Sequence, residues 1–414
     1  MSSRTIAASW LATRIAMGRS SAGLARGRAR LWRRLQPALR HTPALASFAG
    51  RPLADFPITE IASLRADYGR WNSLGVSHDQ LHAAALDAER GGSGEVAQGV
   101  VAGYSTGGRG VRGLFVASAE ERADYIGQIL ARAVPVTALL KPMRLALMLR
   151  ANSSLYSDSA SARRAFLHLS LDLPPAEAAA ALARFSPTVL IAPAHRLVQL
   201  ADEGTALPAL IRLFYGAEPM SAAERAFVAD VLGVRPDPIY QATEGFLGAA
   251  CPRGALHLND HSLEVELEPV AGTEGYRPIV TDLRRVSQPI VRVRTDDYLE
   301  LDPDGCSCGY AGRVIRPVMG RATEIWRWPG RVVTPNQISA AMDALLPPPA
   351  QWQAIAAANH LELRLDRSIP RRDAIADGLR EALDLPVPVI LGETPPELPA
   401  PKRVRLRGAG AAHD

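Results

Sequence analysis

The sequence predicts an α/β protein with two parts. A large N-terminal domain of mixed sheets and helices spans residues 1–320, and a small α+β domain spans residues 321–414. Strand-like and helix-like runs alternate between residues 95 and 250, the pattern of α/β architecture. After residue 250 the pattern turns β-rich, and past Gly320-Arg321 the composition shifts. A chain of 414 residues exceeds a usual single core, which also argues for a second, smaller unit.

Composition sets bounds on function. The chain is 47% apolar and 21% charged, ordinary for a soluble globular protein. A net charge of +5 is too small to imply nucleic acid. No apolar run reaches the roughly 18 residues of a membrane-spanning helix. Three cysteines, all late in the chain, do not make a secreted disulfide framework, so a cytoplasmic location is expected. Residues 1–53 contain no acid, while arginines recur from Arg4 to Arg51. That resembles a transit peptide or a basic surface helix. Trp32, Leu35 and Leu39 fall at helical spacing, which favours a helix packed on the core. Its basic face allows at most weak contact with an anionic membrane surface.

Taken in order, Ser63–Trp71 and His78–Glu89 read as short helices. Glu95–Ala102 reads as a strand that runs into the glycine-rich Gly103–Gly113, and Leu114–Ala117 as a second strand. Backbone N–H groups of such a loop can wrap phosphate oxygens, with Arg109 or Arg112 adding charge. Two other readings stand beside this one. Gly103-Tyr104-Ser105-Thr106-Gly107 matches the G-x-S-x-G elbow of serine hydrolases, which needs a helix directly after the serine. Gly107, Gly108, Gly110 and Gly113 are poor helix sequence. The third reading is a hairpin without a role. A helix follows from Ser118 past Arg132, then an apolar segment at Leu139–Arg150. Arg164–Ser170 and Thr188–Pro193 read as strands, each followed by a helix: Pro174–Arg184 and a segment running through Leu200. Ile211–Tyr215 is a strand, and Ala222–Leu232 a helix stopped by Gly233 and Pro236.

The chain is organised around Tyr240–Gly248, YQATEGFLG, placed behind a strand end at Asp237-Pro238-Ile239. The earlier run into Phe214–Pro219 likewise ends in small residues and an acid. Ligands of open α/β sheets bind outside the carboxyl ends of strands, so both turns are expected to line one crevice. Glu244 beside the Thr243 hydroxyl suits Mg²⁺ and a phosphate; the plainer reading is a loop acid capping a helix. Ser262–Glu268, Pro278–Leu283 and Pro289–Asp297 follow as strands. The paired aspartates at 296 and 297 suit ribose hydroxyls or a solvated turn. Cys251-x5-His257 and Cys306-x-Cys308 use every cysteine. Three thiolates and an imidazole fit a closed, tetrahedral, structural Zn²⁺ site, the alternative being three unrelated thiols. The small domain is expected to carry a helix from Pro335 to Leu346, a strand at Leu361–Leu365, a helix at Arg372–Leu383 and a basic tail through Lys402.

These residues resemble the adenylate-forming superfamily, in the branch of phenylacetate–CoA ligase and coenzyme F-adenylating proteins. The resemblance runs from Asn72-Ser73-Leu74-Gly75 to about Lys402. Tyr240-Gln241-Ala242-Thr243-Glu244-Gly245 is similar to the family's Tyr-x-x-Thr/Ser-Glu motif. Tyr215-Gly216-Ala217-Glu218-Pro219 resembles its adenine-binding turn. Asp282 and Arg292-Val293-Arg294-Thr295-Asp296-Asp297 resemble the segment whose last aspartate holds ribose. Gly320-Arg321-Ala322-Thr323-Glu324 resembles the hinge, and the Cys/His quartet a zinc-like site of this branch. The phosphate loop departs from the family pattern. Ser105-Thr106-Gly107-Gly108-Arg109-Gly110 puts glycine and arginine where two hydroxyls usually stand. The hinge carries Thr323 rather than Asp or Lys, and the C-terminal Gly-Lys is Pro401-Lys402.

The resemblance implies ATP-dependent activation of a carboxylic acid to an acyl-adenylate, then transfer to a thiol of CoA or an acyl carrier protein. It implies that Glu244 holds Mg²⁺, residues 105–112 the β- and γ-phosphates, Asp297 the ribose and Lys402 the α-phosphate. The altered loop leaves open a nucleotide- or acyl-binding homologue impaired in catalysis, and the serine elbow a hydrolase.

Overall fold

The computed structural model describes residues 3–105, 112–134, 136, 142–149, 164–394 and 402–408. Five parallel strands form the centre of an eight-stranded sheet: Arg164–Ser170, Met143–Leu149, Val189–Pro193, Arg212–Gly216 and Pro236–Ala242, in that spatial order. Three strands, Gly245–Ala250, Leu256–Leu258 and Val314–Ile315, extend it antiparallel. Helices Pro175–Phe185, Ala194–Asp202 and Ala222–Leu232 connect the parallel strands. They bury Leu182, Leu197 and Val228 against Leu190 and Leu213 of the sheet. This is the expected strand–helix alternation, and its helix starts are written in the chain. Ser118 and Ser221 make capping boxes with Glu121 and Glu224.

A four-stranded sheet holds Thr59–Glu60, Ile290–Arg294, Tyr276–Asp282 and Leu263–Pro269. A three-stranded one holds Glu95–Ala97, Val100–Tyr104 and Leu114–Ser118. The single strand expected over Glu95–Ala102 is thus two, turned at Gln98-Gly99, where Gly99 has φ 72°. The basic N-terminus forms helices Ser3–Met17 and Ser21–His41. Leu35 and Leu39 are buried with Phe56 and Val291, and Trp32 packs beside them, as their spacing predicts.

Beyond residue 325 a separate hydrophobic cluster forms around Trp326, Ile338, Leu363, Leu379 and Leu406. Its four-stranded sheet runs Val389–Leu391, Leu361–Leu365, Trp352–Ala356 and Leu406–Arg407. The tail expected to be a basic end is in part a strand: Leu406–Arg407 pairs with Ala354 and Ile355. No helix among the described residues is long and apolar enough to cross a membrane.

Candidate active site and metal centre

Glu244 lies in the turn joining strands Pro236–Ala242 and Gly245–Ala250, so Tyr240 and Gln241 sit within a strand rather than behind one. The turn closes tightly. Gly245 has φ 150°, and a Cβ on it would lie 2.7 Å from Asp282 Oδ2. Glu244 is 7% exposed. Burial pushes its carboxyl above the usual range and the Asp297 carboxylate adds to this, while Arg65 and Arg285 oppose it. A shielded carboxylate of this kind gains most from an incoming cation, so the donor fits Mg²⁺.

Tyr240 Oη donates to Asp297 Oδ2 at 2.7 Å, and Asp297 pairs across a β-bridge with Arg321. Burial raises the Asp297 carboxyl; the Tyr240 hydroxyl, Arg321 and Lys402 draw it down. The Lys402 ammonium is depressed by burial and by Arg321, against Asp297 and Glu218. Glu244, Asp297 and Lys402 line one cavity of about 1220 Å³. They come from three distant stretches of chain. Lysine occurs only at positions 141 and 402, so a chain that otherwise uses arginine for positive charge keeps a lysine here.

The Gly216–Pro219 turn also borders the cavity. Ala217 adopts φ 70°, a left-handed backbone uncommon for a residue with a Cβ. The Glu218 carboxylate faces the protein. It accepts from the His195 N–H, from His195 Nδ1 at 2.9 Å and from the Arg403 N–H at 2.7 Å. A ligand in this turn therefore meets its backbone rather than the Glu218 side chain.

Of the expected phosphate loop, Thr106, Gly107, Gly108, Arg109 and Gly110 lie outside the described residues. Its base is described. Ser105 N donates to Gly113 O at 2.8 Å, and Arg112 donates to Ser105 O at 3.1 Å while pairing with Glu89 at 2.5 Å. A Cβ on Gly113 would lie 2.3 Å from Thr243 Oγ1, so the loop base packs directly against the Thr-Glu turn. The strand Val100–Tyr104, which ends just before Ser105, pairs antiparallel with Leu114–Ser118. The next described element after Ser105 is thus a strand and not a helix, which gives the hydrolase reading no support.

Sequence reasoning missed Arg65, Arg285 and the role of Asp282. Arg65 and Arg285 face Glu244, and the Arg285 guanidinium donates to Thr243 O. No local pattern marks these arginines among so many others. Asp282 is buried against Gly245, and burial pushes its carboxyl up to about 6, opposed by Arg285 and the Arg284 N–H. The folded state therefore favours the protonated acid. That contribution is complete below the ordinary value of 3.8 and is lost as pH rises through about 6. Asp282→Asn mimics the protonated form. Its stability relative to the parent should move in its favour by about 2 kcal/mol between roughly pH 4 and pH 7. Thermal unfolding across that range reads the shift; a gap that stays constant with pH contradicts it.

At the far end of strand Gly245–Ala250, about 20 Å from Glu244 by strand rise, Cys251, His257, Cys306 and Cys308 converge. Their donor atoms all lie within 4.8 Å of one another. Cys251 and Cys306 sulfurs are 3.7 Å apart, and Cys308 Sγ is 3.4 Å from His257 Nε2. Edges of a zinc tetrahedron with arms of about 2.3 Å are about 3.8 Å, so the donor set fits. His257 Nδ1 lies 2.8 Å from the Gly312 carbonyl, which leaves Nε2 for a metal. Arg132 is buried beside the cluster with Nε and Nη1 lacking hydrogen-bond partners, and a centre of three thiolates would supply the balancing negative charge. Cys308→Ser is expected to lower bound zinc below one equivalent and to reduce the melting temperature. A protein that purifies without zinc and melts unchanged contradicts the site.

No family model matches the chain. Phenylacetate-coenzyme A ligase of Thermus thermophilus is 30% identical over 142 residues, 31% of this chain and 32% of that protein, so the match spans about a third of the relative. 2-Hydroxyisobutyryl-CoA ligase, solved in its postadenylation state with its acyl-AMP, superposes with a TM-score of 0.67 at 15% identity. It covers 94% of this chain and 90% of its own. The o-succinylbenzoate CoA synthetase of Bacillus subtilis, in complex with its acyl-adenylate, gives 0.53 at 15% identity over 74% and 68% of the two chains. The amide bond synthetase of Marinactinospora thermotolerans gives 0.54 at 17% identity, again over 74% and 68%. The chain therefore has the fold of adenylate-forming enzymes, and a third of it is similar in sequence to a phenylacetate-coenzyme A ligase.

Proposed function

We propose that the protein activates a carboxylic acid with ATP to an acyl-adenylate and then transfers the acyl group to a thiol. The observation that carries this reading is the convergence of Glu244, Asp297 and Lys402 on one cavity. The substrate carboxylate attacks the α-phosphorus, and pyrophosphate leaves. Asp297, oriented by Tyr240, accepts from the ribose hydroxyls and fixes the nucleotide. The Gly216–Pro219 turn borders the adenine. Lys402 stabilises charge that grows on the α-phosphoryl oxygens, so catalysis is positioning plus charge stabilisation. Mg²⁺, held by Glu244, neutralises charge on the phosphates when bound. Thr243 and the loop from Ser105, including Arg109, contact the phosphates in this reading, and zinc on the Cys/His quartet is structural.

In this reading the chain divides into 1–320 and 321–414, with a hinge at Arg321–Glu324. Ala322 N donates to Asp296 O at 2.7 Å, and Thr323 Oγ1 donates to Asp296 Oδ2 at 2.5 Å, fixing the segment in its present state. Rotation there would admit a thiol to the acyl carbonyl. CoA is the favoured acceptor because the 2-hydroxyisobutyryl ligase has been solved with acyl-AMP and CoA together; an acyl carrier protein is the second choice. ATP–pyrophosphate exchange measured against aromatic and aliphatic acids tests the reading. Exchange that depends on an added acid supports it. ATP binding without exchange for any acid would favour a nucleotide-binding protein with an altered phosphate loop.

A further inference from the structure

The start of helix Ala222–Leu232 meets the C-terminal segment through a buried ion pair. Glu224 stands in the first turn of helix Ala222–Leu232, where its Oε2 accepts from the Ser221 N–H at 3.1 Å. The same carboxylate receives Arg403 Nη1 at 2.5 Å and Arg405 Nη2 at 2.8 Å. The Glu224 and Arg403 side chains are each 4% exposed. Burial pushes the Glu224 carboxyl up, yet Arg403 and Arg405 hold it down at about 2, so it stays charged. Both arginines belong to the small domain. They lead into the strand that starts at Leu406, and the Arg405 guanidinium rests 4.8 Å from the Trp352 ring centroid. A second small-domain acid, Asp343, accepts from the Ala223 N–H at 3.1 Å at the start of the same helix. Directly before Arg403 comes Lys402, whose neighbour's N–H is held by Glu218.

We propose that Glu224 is a latch: by pairing with Arg403 and Arg405 it holds the small domain over the cavity before nucleotide binds, and so delivers Lys402 to the site. None of these groups needs to touch substrate, which makes Glu224 a positioning residue. The proposal rests on the two-step reading above. Swinging the small domain away separates Glu224 from both cations, whose attraction in the closed arrangement outweighs the cost of burying its carboxylate. The latch therefore opposes opening and sets the balance between the two half-reactions. A coupling of this kind is typically worth a factor of about 5 to 150 in an equilibrium.

Glu224→Gln tests it, because an amide oxygen still completes the capping box while the charge is gone. Small-angle scattering of the nucleotide-free protein should show the parent as compact and the variant with a larger radius of gyration. Acyl-AMP formation should fall about tenfold, while thioester formation from supplied acyl-AMP should hold or rise. Arg405→Met, which leaves the Ser221–Glu224 cap intact, should repeat the expansion. Scattering curves identical to the parent in both variants overturn the latch. Scattering reads closure without any chemistry. Failure of the ligase reading, seen as no exchange with any acid, is thus separate from failure of this one.

Discussion

Glu244→Gln is expected to lower acid-dependent ATP–pyrophosphate exchange by about two to three orders of magnitude. The substitution keeps the shape of the side chain and removes the charge offered to Mg²⁺. Glu244 is buried, and burial raises its carboxyl, so the ionised form has few protein groups to satisfy it besides Arg65 and Arg285. An amide there is no burden on folding, and the melting temperature should hold or rise slightly. Near-normal exchange in a folded variant would remove Glu244 from the mechanism. Loss of exchange together with loss of fold would instead make it structural, and circular dichroism separates the two.

Lys402→Ala is expected to divide the two half-reactions. The ammonium faces Asp297 and Arg321 in this structure, and in the proposed mechanism it acts only while the small domain is closed. Charge develops on the α-phosphate in the first step, so acyl-AMP formation should fall by about two to three orders of magnitude. Thioester formation from supplied acyl-AMP should remain within about threefold of the parent, since that step loses no stabilisation from Lys402. Equal loss in both halves would point to destabilisation, and no loss in either would return Lys402 to the surface.

Much of the fold was legible because its signals are local. The capping serines, the alternating helices and strands of residues 164–242, and the Thr243-Glu244 turn each announce themselves within a few residues. The Cys/His quartet was legible because cysteine is scarce, with three in the chain. What stayed hidden depends on partners far apart. Arg403 and Arg405 carry no mark in the sequence beyond belonging to a basic tail, yet both pair with Glu224, some 180 positions earlier. Glu218 looked like a ligand contact in its turn, and only the fold shows His195 and the Arg403 N–H closing on its carboxylate. Arg65 and Arg285 have no sequence signature, because what defines them is proximity to Glu244.

The central claim is that the acid is activated as an acyl-adenylate. Carboxylate oxygen labelling tests it most directly. An acid that supports pyrophosphate exchange, carrying ¹⁸O at both carboxyl oxygens, is turned over with ATP and CoA, and the phosphoryl products are read by mass spectrometry. Attack on the α-phosphorus joins one labelled oxygen to phosphorus, and thiol attack on the acyl carbon then releases it with the nucleotide. The account predicts AMP bearing one ¹⁸O and unlabelled pyrophosphate. Unlabelled AMP, or ADP with the label in inorganic phosphate, would contradict it.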